Sequence, residues 1–88
     1  MHKDSEDYRN RENSKRMFAT QNFTNIRRVD GFKHMDVTLG GDLIGFVRYQ
    51  KATEAFWRTV SVPQWKGPVD TRVRAFECIL WEVGALST

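Results

Sequence analysis

Between residues 23 and 38 the chain reads as two alternating runs, Phe-Thr-Asn-Ile-Arg-Arg-Val and Phe-Lys-His-Met-Asp-Val-Thr, separated by Asp30-Gly31. No other feature constrains the fold as strongly. A two-residue hairpin loop that follows the right-handed twist of its strands needs positive φ at both central positions, and Asp-Gly supplies it at little steric cost. The segment is therefore predicted as an antiparallel hairpin. On its second run Lys33, Met35, Val37 and Leu39 point one way, and Phe32, His34, Asp36 and Thr38 the other.

The rest of the chain extends this pattern. Gly40-Gly41-Asp42 predicts another turn, followed by strands over 43–49 and 55–62 joined by residues 50–54. Pro63 and Pro68 lack ladder donors, so 63–68 is expected as a loop carrying Trp65. A helix is expected over 70–84, with Asp70 as N-cap and Gly84 as C-terminal stop. Val69, Val73, Phe76, Ile79, Leu80 and Val83 then fall within one core-facing arc of about 120°. The expected class is α+β, a four-stranded antiparallel meander packed by one C-terminal helix. In layout alone this resembles the arm-binding domains of phage integrases and plant ethylene-response-type DNA-binding domains. The resemblance implies DNA binding but transfers no residue positions.

Apolar residues divide the chain. Five of the first 22 belong to the apolar set (Met1, Tyr8, Met17, Phe18, Ala19), against thirty of the remaining 66. A segment so poor in apolar groups cannot offset its ordering entropy. Residues 1–16 are thus expected as a flexible polar tail and 17–88 as a single domain, with Met17 and Phe18 packing onto it. A domain this small buries only about 60% of its unfolded surface, so dimerisation or a partner would add burial.

Several function classes are disfavoured. No run approaches the roughly 18 apolar residues of a membrane span, and the first residues lack a signal-peptide apolar region. No membrane association and a cytoplasmic location are expected. Gly40-Gly41 is not followed by the Lys-Ser/Thr pair of a phosphate-binding loop. His34 and Asp36 share a strand face, but such a pair is more often solvated than catalytic. His34, Asp36 and Asp42 lack a third strong metal ligand. Cys78, the single cysteine, lies mid-helix without a base to activate it. The expectation is a non-enzymatic protein with no cofactor or metal.

Two binding modes remain. The net charge is +3, and the basic excess lies on the predicted strands. Arg27, Arg28, Lys33, Arg48, Lys51, Arg58 and Lys66 would hold phosphates, and Phe46, Tyr49 or Trp57 would contact bases. Arg9, Arg11 and Arg16 would add a tail arm. If Val47 stands opposite Trp57, Phe46 opposes Arg58 and the aromatic and basic sets merge on one face. The bland alternative makes these rings core, with the arginines at its rim.

The second mode is protein binding, as a small inhibitor or adaptor of a larger machine or through self-association as a homodimer. Arg74, Cys78, Trp81 and Ala85 form a second, sparser helix stripe, and Trp81 and Trp65 would be its anchors. In the bland reading, Met17, Phe18 and Phe23 cover Trp81.

Overall fold

A computed structural model describes residues 22–85. The expected tail, its arginines, Met17 and Phe18 lie outside the described residues. Five strands form one antiparallel sheet in sequence order: β1 (Phe23–Val29), β2 (Phe32–Leu39), β3 (Asp42–Tyr49), β4 (Ala55–Thr59) and β5 (Lys66–Val69). One helix, α1 (Arg72–Glu82), follows. The α+β meander with a C-terminal helix is as expected, with five strands rather than four.

The first turn follows directly from its chemistry. Asp30 and Gly31 have φ of 52° and 82°, the positive pair that a type I′ hairpin requires. β1 also carries a bulge: between the Thr24–Asp36 and Arg27–His34 pairs, two β1 residues stand against one on β2. Asn25 adopts φ 50° there, a left-handed conformation that asparagine tolerates better than most residues.

β5 corrects the expected 63–68 loop. Proline is tolerated in a strand at a sheet edge, and Pro68 lies on the edge strand. β4 correspondingly ends at Thr59 rather than residue 62. The helix is shorter than expected because Thr71, not Asp70, caps it. The Arg74 amide donates to Thr71 Oγ1 at 3.0 Å.

The core lies between α1 and one sheet face. Phe23, Met35, Val37, Val47, Ala55 and Trp57 are buried there against Ala75, Phe76, Ile79 and Leu80. Phe23 and Phe76 meet edge to face, with centroids 5.7 Å apart. Gly45 permits the close approach of helix and sheet. A Cβ on it would lie 2.5 Å from the Arg58 carbonyl oxygen and 3.0 Å from Ile79. Of the expected helix arc, Phe76, Ile79 and Leu80 are buried, whereas Val83 is 43% exposed just beyond the helix end.

Candidate functional site

Among the described residues, no helix packs on the opposite sheet face. Pairing in β3–β4 places Val47 opposite Trp57, Phe46 opposite Arg58 and Arg48 opposite Phe56. In β2–β3, His34 stands opposite Arg48 and Asp36 opposite Phe46; in β1–β2, Arg27 stands opposite His34. Directly paired residues share a face. Arg27, His34, Asp36, Phe46, Arg48, Phe56 and Arg58 therefore all stand on the side away from α1, and Phe32 joins them by alternation from His34.

Trp65, from the segment before β5, packs onto this face. The Arg48 guanidinium carbon lies 4.3 Å from its ring centroid, 5.2 Å from that of Phe32 and 6.0 Å from that of Phe56. The Arg58 guanidinium carbon lies 4.3 Å from the Phe46 centroid and 5.3 Å from that of Trp65. Such contacts are worth about 0.5–2 kcal/mol each and hold the guanidinium planes in place.

Among the described residues, neither charge has an ion-pair partner. The ion pairs among the described residues are Arg27–Asp36 at 3.1 Å and Lys66–Glu82 at 3.8 Å. Arg58 Nη1 donates only to the Thr59 carbonyl, at 3.4 Å, and Arg48 Nε is buried with no acceptor. A buried donor left unpaired costs free energy, more so when it belongs to a charged group. Asp36, an acid of this face, is already engaged: its Oδ1 accepts from Arg27, and its Oδ2 accepts from Asn25 Nδ2 at 3.1 Å. Arg27 also donates to the Asn25 carbonyl at 2.7 Å.

His34 sits edge-on to Phe32 and Trp65, with centroids 6.5 Å and 6.2 Å away. Burial, then the charges of Arg27 and Arg48, hold its imidazole below the ordinary histidine value, against a smaller opposing pull from Asp30. It makes no hydrogen bond to Asp36, whose oxygens accept from Arg27 and Asn25.

The expected binding residues thus divide. Arg27, Phe46, Arg48 and Arg58 share the open face. Arg28 and Lys33 pair with each other, and alternation sets them on the α1 side. Lys51 is exposed in the β3–β4 connection. Lys66 is drawn to the α1 side, 5.1 Å from the Trp57 centroid and paired to Glu82. Trp57 is a correction: at 8% exposure it belongs to the core and cannot contact bases. Tyr49, which packs against the core, is likewise removed from the open face. Trp65, expected as a protein-binding anchor, instead joins this face, together with Phe32, Phe56 and His34, which are not among the expected nucleic-acid-binding residues. Alternation marks the last three, but no local signal shows where a loop tryptophan will land.

The helix candidates hold together only in part. Arg74, Trp81 and Ala85 are exposed, with Trp81 at 48%. Cys78 is half-buried, and burial pushes its thiol above the usual range, so it stays protonated. Trp65 lies on the other side of the sheet, which separates the two expected tryptophan anchors. Among the described residues no cluster of three His, Cys, Asp or Glu side chains could hold a metal ion. No described helix is long and apolar enough to cross a membrane.

No family model, curated protein or solved structure matches the chain.

Proposed function

We propose that the chain is a small non-enzymatic nucleic-acid-binding protein, regulatory or DNA/RNA-handling, that binds through the sheet face opposite α1. One observation carries the reading: Arg48 and Arg58 are both held on aromatic rings and, among the described residues, have no carboxylate partner. A guanidinium whose plane rests on a ring still directs N–H donors from its edge, the geometry that suits phosphate oxygens. The half-buried rings of Phe46 and Trp65 supply a hydrophobic floor beside those charges. Arg27 and Lys51 flank them.

The test is binding of the full chain to mixed-sequence duplex and single-stranded DNA and RNA between about 50 and 200 mM salt. A steep fall of affinity with salt, reduced in Arg48→Ala/Arg58→Ala, is expected. No binding at the low end overturns the reading.

A second reading rests on Trp81, whose indole is 48% exposed on α1 and has no ring or hydrogen-bonding partner among the described residues. As a protein-binding or dimer anchor, Trp81→Ala would weaken association and leave circular dichroism unchanged. Loss of fold in that variant would make the indole structural instead.

A further inference from the structure

We propose that His34 and Arg48 form one phosphate subsite, flanked by Arg27, in which the imidazole engages the phosphate as its cation, so that nucleic-acid binding takes up a proton. This rests on the nucleic-acid reading and gives His34 a binding role that its sequence position does not announce.

Two strand registers place His34 directly opposite Arg48 on one side and Arg27 on the other. Paired Cβ atoms lie about 4.5–5.5 Å apart, so the three side chains form a single row. The ring is held edge-on by Phe32 and Trp65. The groups facing it can be enumerated by element. β1 presents Arg27 and β3 presents Arg48. Its own strand presents Asp36, whose two oxygens are occupied, and the β1–β2 turn contributes Asp30. β4 presents Arg58, which is stacked on Phe46 and Trp65, and the segment before β5 contributes only the uncharged indole. No unengaged acid faces His34 from its own strand or the adjacent ones, and two cations disfavour its protonation.

A phosphodiester seated on Arg48 reverses that field. The repulsion from Arg48 is cancelled, a negative group stands beside the ring, and the imidazole gains an acceptor. Its proton affinity rises on binding, and by linkage the affinity for phosphate rises as pH falls. Each unit of that rise is worth a factor of ten in affinity.

The experiment uses the full chain, a mixed-sequence DNA duplex and the matching single strand, with anisotropy read at fixed ionic strength from pH 8 to about 5.5, the window in which histidine titrates. Affinity for whichever probe binds is expected to increase about tenfold over that range. His34→Gln should lose the increase, whereas His2→Gln should retain it. A pH-independent affinity, or an unchanged slope in His34→Gln, overturns the coupling while leaving the nucleic-acid reading intact. Absence of binding by both probes at every pH overturns both. Should His34→Gln fail to fold, the His34 ring-proton titration by NMR in the unaltered chain decides. An upward displacement with duplex supports the subsite, and an unmoved midpoint sinks it.

Discussion

The guanidinium of Arg48 lies 4.3 Å from the ring centroid of Trp65, while Nε of the same side chain is buried without an acceptor. A strand residue and a loop residue thereby hold a positive charge on the sheet face opposite α1 without neutralising it. The domain carries a cost that a folded core does not require and that an anionic partner would relieve.

Arg48→Met separates that cost from function. It keeps an apolar side chain against Phe32, Phe56 and Trp65 and removes the unpaired donor. The roughly 0.5–2 kcal/mol lost in cation–π contact is offset by about 1–3 kcal/mol of relieved desolvation. Calorimetry should find the melting temperature within about 5 °C of the parent. The salt slope of nucleic-acid binding should shrink by about one. An unfolded variant would make Arg48 a structural residue.

The two tryptophans of the sheet should behave oppositely. Trp57 is core, and its replacement by alanine costs about 3–5 kcal/mol, enough to unfold a domain of this size at room temperature. Trp65→Ala removes a half-buried ring from the open face. It should leave a cooperative urea transition and weaken nucleic-acid binding by loosening Arg48 and Arg58. Equal loss of fold in both would remove Trp65 from the binding argument.

Gly45→Ala tests the helix–sheet approach. The new Cβ would meet the Arg58 carbonyl at 2.5 Å, and backbone there cannot yield without disturbing the β3–β4 ladder. A penalty of about 1–3 kcal/mol is expected. Thermal unfolding should fall by several degrees, about 4–8 °C per kcal/mol for a domain this small. An unchanged melting curve would mean that α1 lies less closely on the sheet.

Cap assignment yields a paired comparison. Thr71→Ala should cost about 1 kcal/mol by orphaning the Arg74 amide, and Asp70→Ala only a few tenths. Denaturant midpoints of the two variants decide, and the reverse order would restore Asp70 as the cap.

The pH dependence of the free domain follows from His34. Its folded-state value lies below the unfolded one, so between the two the unfolded chain binds more protons. Stability therefore falls as pH drops through the ordinary histidine range, and His34→Gln should flatten that fall. Melting temperatures on either side of about pH 6.5 are the measurement. An equal slope in both proteins would place the titrating group elsewhere.

Much of the scaffold was legible because its signals are local. Asp30-Gly31 imposed the first turn, and alternation placed Met35 and Val37 on one side of β2 and His34 and Asp36 on the other. The pairing of Val47 with Trp57 was one register among those the sequence allowed for the 43–49 and 55–62 runs, and the structure adopts it. β5 escaped because Gly67 and Pro68 read as breakers, and an edge strand tolerates both. Thr71 lost the cap to Asp70 because both residue types cap well and adjacent positions look alike in sequence.

The functional face was less legible. Arg48, Arg58 and Phe46 could be grouped by parity, but Trp57 was placed among them although it belongs to the side that α1 covers. Lys66 counted as a free cation until the fold brought it to Glu82. By itself, then, the sequence determined a twisted antiparallel meander ending in an amphipathic helix, since turn dihedrals and side-chain periodicity depend on a few adjacent residues. Only the tertiary structure decided which sheet face the helix took, where Trp65 came to rest and which arginines kept their charge unpaired. Those outcomes depend on contacts between residues far apart in the chain, which no local pattern encodes.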